Sequence, residues 1–140
     1  MKAAIIYNSR TGTTKKYAEA IAGFLSQKGL ETNTASISDY DPEKVKAADI
    51  VLLGAWTSGL FFFAQHPDKE FKKYSGNLPE VKDKKVGLFT TYKTLTGSMF
   101  RKMDKLINDK LPEGYVLLKS RSSKLTSENK KQLEKLIQNT

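Results

Sequence analysis

The residues best placed to do chemistry stand together near the start of the chain, in Asn8-Ser9-Arg10-Thr11-Gly12-Thr13-Thr14. Ser9, Thr11, Thr13 and Thr14 carry hydroxyls that can donate to phosphate oxygens. Gly12 and its small neighbours let the backbone curl around an anion. A helix is predicted to open directly afterwards, and its unpaired N–H groups and positive dipole end favour negative charge at the same point. The stretch is not a Walker loop, since no Gly-Lys-Ser/Thr follows a first glycine at the needed spacing. It also lacks the three glycines of the dinucleotide fingerprint. A single terminal phosphate suits it; the alternative is an ordinary strand–helix turn with hydroxyl caps.

Other chemistries fall away on composition. The chain has no cysteine, which excludes disulfides, thiolate metal sites and Cys nucleophiles. His66 is the one histidine, so a multi-histidine metal centre or a Ser–His–Asp arrangement is not expected, and no metal site is predicted. Asp39, Asp41 and Glu43 read as turn and helix-start acids rather than an acid–base pair. Ser120-Arg121-Ser122-Ser123-Lys124 reads as a polar, solvated loop, with assistance to an anionic partner as the other option. The formal charge is +9, and almost all of that excess lies beyond residue 64. No nucleic-acid-reading motif accompanies it, and acids are interspersed among the lysines, so a solvated basic face is expected and no nucleic acid. No apolar run reaches the roughly 18 residues of a membrane span, and the first six residues are too short an apolar stretch for a secretory signal. A soluble, cytoplasmic chain without membrane insertion is the expectation.

The elements that must position these residues alternate regularly. Ala3–Tyr7 is a continuous apolar run, as in a strand buried on both faces. Thr13–Gln27 has Tyr17, Ile21, Phe24 and Leu25 on one helical face, and Lys28-Gly29 closes it. Leu30–Ser36 reads as a more polar strand near an edge, and Asp41-Pro42 starts a short helix to Ala47. Asp49–Gly54 is the clearest central strand. An irregular segment is expected from Ala55 to about Pro67, then a helix over Asp68–Tyr74. Lys85–Thr90 is a strand, Gly97–Asn108 a helix with Phe100, Met103 and Ile107 inward, and Met99 and Met103 belong to the core. Tyr115–Lys119 is the last strand. Thr126–Gln138 is the last helix, with Thr126 as N-cap and Leu133, Leu136 and Ile137 inward. Five strands alternating with helices over 140 residues predict one doubly wound α/β domain spanning 1–140. Ligands of such sheets sit beyond the carboxyl ends of the strands.

On these residues the chain resembles the flavodoxin family. Ser9-Arg10-Thr11-Gly12-Thr13-Thr14 looks like that family's Ser/Thr-x-Thr-Gly-x-Thr loop, which grips the phosphate of flavin mononucleotide (FMN). The resemblance covers nearly the whole chain and implies a five-stranded parallel sheet in the order 2-1-3-4-5. It implies two further loops around the isoalloxazine ring, here Ala55-Trp56-Thr57-Ser58-Gly59-Leu60 and Thr90-Thr91-Tyr92 through Gly97. Trp56 and Tyr92 would stack on the ring, and Gly59 would be the turn glycine whose peptide flips toward the reduced flavin.

The chain departs from the family in instructive ways. Flavodoxins are acidic around the flavin, whereas this chain is at +9. Leu60-Phe61-Phe62-Phe63 follows Gly59, and Lys93-Thr94-Leu95 replaces the usual aromatic–glycine pattern after the tyrosine. Reduced flavin is anionic at neutral pH, so nearby cations (Arg10, Lys15, Lys93) predict a less negative potential than acidic flavodoxins have. The leading expectation is an FMN-binding electron carrier exchanging electrons with redox proteins that present acidic surfaces. The alternatives are a small FMN-dependent quinone or protoporphyrinogen oxidoreductase and a flavin-free interaction domain. In the enzyme reading the Phe-rich loop walls a flat substrate and His66 supplies a proton; otherwise these rings pack under the loop.

Overall fold

The first strand, β1 (Lys2–Asn8), is buried on both faces. Ala3 and Ile5 face one apolar layer, and Ala4 and Ile6 the other. That two-sided burial accounts for its unbroken apolar run. A computed structural model describes residues 1–138 apart from 11, 61–62, 68–70, 72, 75 and 93–98, and describes 57–60 and 63–67 by their backbone alone.

The helix α1 (Thr13–Gln27) buries Tyr17, Ala18, Ile21 and Leu25, the stripe its spacing predicts, while Phe24 is only partly buried. It ends at Gly29 with φ 92°. The Leu30 N–H donates to the Leu25 carbonyl at 3.1 Å and the Gly29 N–H to Ser26 at 3.0 Å, a Schellman closure that needs a left-handed residue. β2 (Glu31–Ser36) follows, then α2 (Pro42–Ala47), whose cap Asp41 accepts from the Glu43 N–H at 2.9 Å. Beyond them come β3 (Ile50–Leu60), β4 (Phe63–Pro67), β5 (Lys85–Thr91), α3 (Met99–Ile107), a short 3-10 turn over Asn108–Lys110, β6 (Val116–Ser120) and α4 (Ser127–Gln138). Phe71, Lys73 and Tyr74 are helical, and the rest of the helix expected over Asp68–Tyr74 lies outside the described residues. So do the first two residues of the helix expected to start at Gly97.

Five strands run parallel in the spatial order β2-β1-β3-β5-β6. Counting parallel strands alone, this is the 2-1-3-4-5 order that the resemblance implies. One apolar layer joins α1 and α4 to the sheet through Tyr17, Ile21, Leu25, Phe89, Leu118, Leu133 and Leu136. The other joins α2, Phe71 and α3 to the opposite face through Val45, Val51, Leu53, Leu88, Met99, Met103 and Ile107. Met99 and Met103 are core residues, as expected.

The segment after Gly54 is the principal correction. In place of an irregular stretch from Ala55 to Pro67, β3 continues to Leu60 and β4 pairs back against it antiparallel. The cause is hydrogen-bond supply. β1 ends at Asn8, opposite Ala55, and β5 ends at Thr91, opposite Trp56. Beyond those residues β3 has no parallel neighbour, and a returning segment provides the partners its backbone requires. Thr57 pairs with Pro67, Ser58 with His66 and Leu60 with Phe63, with the register shifting between Ser58 and Leu60. Gly59 therefore lies inside β3 at a bulge, a frequent place for glycine in a strand, rather than in the turn expected for it.

Candidate functional site

The carboxyl ends of β1, β5 and β6 come level with Ala55 and Trp56, where β3 leaves the parallel sheet. Asn8 of β1 pairs with Ala55 of β3, Trp56 with Thr91 of β5, and Thr91 with Ser120 of β6. The residues that follow each end, Ser9-Arg10, Tyr92 and Arg121, therefore rise from one edge of the sheet. Chain order reverses direction at β1 and β3, and such a switch point opens a crevice between the loops leaving the two strands.

The first loop is built for a close backbone approach. Gly12 is the N-cap of α1 with φ 94° and ψ −9°, and its N–H donates to the Ser9 hydroxyl at 3.0 Å. Its own carbonyl accepts from the Lys16 N–H at 3.0 Å, the first bond of the helix. The left-handed φ is one a residue with a Cβ adopts at a cost. No acidic residue stands in the first turn of α1, so nothing on that turn repels an anion at the positive end of the helix. Thr11 lies outside the described residues.

Hydroxyls tie the loops together. The Thr14 and Thr91 Oγ1 atoms are 2.6 Å apart and buried, which joins the start of α1 to the end of β5. The Thr90 hydroxyl donates to the Ala55 carbonyl at 2.6 Å, joining β5 to β3. The Tyr92 N–H donates to the Ser120 carbonyl at 3.2 Å, extending the β5–β6 ladder by one bond. In the loop after β6, the Ser120 hydroxyl donates to the Lys124 carbonyl and accepts from the Ser122 N–H, at 3.0 and 3.1 Å. That brace holds Arg121 at the strand end.

Two aromatic rings face arginines at this edge. The Arg10 guanidinium lies 5.4 Å from the Trp56 ring centroid, and that of Arg121 lies 5.6 Å from the Tyr92 centroid. Both are cation–π distances. Arg121 is the residue at this edge that the sequence reading did not single out, because its neighbours Ser120 to Lys124 look like a plain polar loop. The signal was positional: Arg121 directly follows a strand, where ligands of doubly wound sheets bind.

The remaining expected residues separate into two groups. Thr57, Ser58 and Gly59 belong to the backbone of β3 where it projects beyond the parallel sheet. His66 and Phe63 belong to the backbone of β4, paired with Ser58 and Leu60. The Phe61–Phe62 wall, the His66 side chain and Gly97 with the rest of its loop lie outside the described residues. Among the described residues, no three His, Asp or Glu side chains gather as they would around a metal ion.

Beneath the site, the Tyr17 hydroxyl donates to Asn129 Oδ1 at 2.7 Å, and its ring meets Phe89 edge-on at 5.9 Å. Burial raises the Tyr17 phenol far above its usual range, so it acts as a fixed neutral donor. Asn129 also accepts from the Thr126 N–H at 3.1 Å while its own N–H donates to the Thr126 hydroxyl at 3.0 Å. Thr126 is thus the N-cap of α4, as expected, in a reciprocal pair with asparagine at the third helical position.

The features fit a phosphorylated flavin. A glycine-capped helix start without acids suits a phosphate, and two partly buried aromatic residues, one on β3 and one just after β5, suit a flat conjugated ring. Comparison with known proteins agrees. A family model described as "Flavodoxin domain" matches residues 4–120. A flavodoxin of Clostridium beijerinckii is 30% identical over 105 residues, 74% of each chain. The flavodoxin of Streptococcus pneumonia TIGR4 superposes with a TM-score of 0.73 at 20% identity, over 97% of this chain and 94% of that one. Two-electron reduced Megasphaera elsdenii flavodoxin superposes with a TM-score of 0.68 at 21% identity, over 94% of both chains. At those identities the superpositions speak to the fold alone. No helix among the described residues is long and apolar enough to cross a membrane.

Proposed function

We propose a role that starts from one fact: this chain belongs to the flavodoxin family, whose members bind FMN and carry electrons between redox proteins. In this chain the loop Ser9 to Thr14 holds the FMN phosphate through its backbone amides and the hydroxyls of Ser9, Thr11 and Thr13. Arg10 and the N-terminal end of α1 balance its charge. Ala55 to Gly59 form one wall of the ring site, and Thr90, Thr91, Tyr92 and Gly97 the other. Trp56 and Tyr92 supply the stacking faces. The Thr14–Thr91 and Thr90–Ala55 bonds fix the three loops relative to one another, so that phosphate and ring are gripped at a set separation. Bound FMN supplies the redox chemistry by taking up and releasing electrons at its isoalloxazine ring.

The observation that carries this reading is the left-handed Gly12 at the start of α1, a helix start whose Thr14 is bonded to Thr91, the residue that pairs with Trp56 and precedes Tyr92. The chain is a carrier whose partners present acidic surfaces, since its charge of +9 draws such proteins in. Titrating the apoprotein with FMN and with riboflavin tests the phosphate grip. FMN is expected to bind at least a hundredfold more tightly, roughly 2.7 kcal/mol. Equal affinity for the two would remove the loop from the site.

A further inference from the structure

We propose that Arg10 and Arg121, each standing over an aromatic wall of the flavin site, form a pair of charges that favours reduced, anionic FMN over the oxidised form. The inference rests on the FMN reading above. It goes further by assigning the loop after β6 to the site and by giving the charge a direction of effect.

The argument begins with the row of strand ends. β1, β3, β5 and β6 are successive neighbours. Along their carboxyl edge the residues in turn are Arg10, Trp56, Tyr92 and Arg121: cation, aromatic, aromatic, cation. Each arginine keeps to the aromatic nearest it, at 5.4 and 5.6 Å. Neither position is accidental in the chain. Arg10 is tethered within the Ser9–Gly12 turn, and Arg121 within the braced loop of Ser120, Ser122 and Lys124.

Two consequences follow from elementary electrostatics. With FMN bound, two electrons from a reductase protein and one proton at N5 would leave one negative charge on the ring. That charge is attracted by both guanidiniums, whereas the neutral oxidised ring is not. The aromatic walls by themselves act in the opposite direction, and the cations weaken that opposition. An indole or phenol face is electron-rich and disfavours an electron-rich ring stacked on it, and a cation on that aromatic draws on the same electron density. The walls therefore discriminate less against reduced flavin than bare aromatics do. Arginine suits the task because its planar guanidinium stacks on aromatics.

The test compares wild type, Arg121→Gln, Arg10→Gln, the double variant and Arg121→Lys. Oxidised and reduced FMN affinities are measured anaerobically, together with the two-electron midpoint potential. Arg121→Gln is expected to weaken reduced FMN about threefold relative to oxidised FMN. The double variant is expected to weaken it about tenfold, a fall of about 30 mV for a two-electron couple. Arg121→Lys should recover most of the potential. Without flavin, Trp56 is the chain's one tryptophan. Its fluorescence should be quenched by iodide less in Arg10→Gln than in wild type, with acrylamide quenching unchanged. A potential that does not move, or oxidised FMN that binds more tightly once the arginines are gone, would overturn the proposal and make them plugs of the site. A wild-type protein that takes up no FMN would overturn the functional reading itself, and the redox role of the arginines with it.

Discussion

Thr14 and Thr91 are separated by 77 positions, yet their hydroxyls share one buried hydrogen bond. A single substitution there is more damaging than its one lost contact suggests. Thr14→Val leaves the Thr91 hydroxyl buried without that partner, which costs about 1–3 kcal/mol, whereas replacing both by valine removes the orphan along with the bond. The double variant is therefore expected to be more stable than the sum of the singles, by at least 0.5 kcal/mol in a urea-denaturation cycle. FMN affinity should fall in all three, because the bond spans the phosphate loop and the ring loop; unchanged affinity would detach it from the site. The hydroxyls of the first loop were legible in the sequence because they cluster beside a glycine. This pairing was not, because a threonine on an apolar strand gives no local sign of what it meets across the sheet. Arg121 was hidden for a related reason: its neighbours have the composition of solvent-exposed chain, and only the strand order brings it level with Tyr92.

At the scale of elements, α4 depends on one buried side chain. Asn129 closes the helix start with Thr126, accepts from Tyr17 on α1 and donates to the Lys119 carbonyl of β6 at 3.3 Å. Asn129→Ala loses part of a cap and strands the Tyr17 hydroxyl, so a loss of about 2–4 kcal/mol is expected by chemical denaturation. Ser127→Ala, on the same first turn, should change stability by less than about 0.5 kcal/mol. The helices were the legible part of the chain because each carries an apolar stripe and a marked end: Lys28-Gly29 after α1, Asp41-Pro42 before α2, Thr126 before α4. β1, β2, β5 and β6 were legible to within a residue at each end, whereas β3, expected to end at Gly54, runs to Leu60. The β3–β4 hairpin was not legible. Trp56-Thr57-Ser58-Gly59 lacks an unbroken apolar run, and the need for an antiparallel partner arises only where β1 and β5 both stop. Gly54 shows the same limit within a strand. A Cβ there would lie 2.1 Å from the Phe89 ring, a close approach set by β5 and invisible in the β3 sequence.

For the whole molecule the governing quantities are ionisation and net charge. Tyr115 is raised to about 12, first by burial and then by its hydrogen bond and charge repulsion with Asp104. Its neutral form is therefore favoured by the fold. The contribution is complete below pH 10 and is lost as the pH rises toward about 12, where the unfolded chain ionises first. Stability should fall across that window in wild type, and less steeply in Tyr115→Phe. Of the six tyrosines, Tyr17 and Tyr115 should ionise last in an ultraviolet titration. At neutral pH the charge of +9 acts at longer range, and its reach is set by salt: about 10 Å at 0.1 M and about 3 Å at 1 M. An acidic redox partner is steered toward this chain only while that reach exceeds the gap between the two surfaces, so the bimolecular electron-transfer rate should fall as salt rises. Electron transfer inside the docked complex, where the distances are already short, should change little. Stopped-flow reduction by an acidic reductase across 0.05–0.5 M salt separates the two. A tenfold or greater drop in the bimolecular rate with a constant limiting rate is the expected pattern, whereas a rate that rises with salt would mean that the docking face is not the basic one.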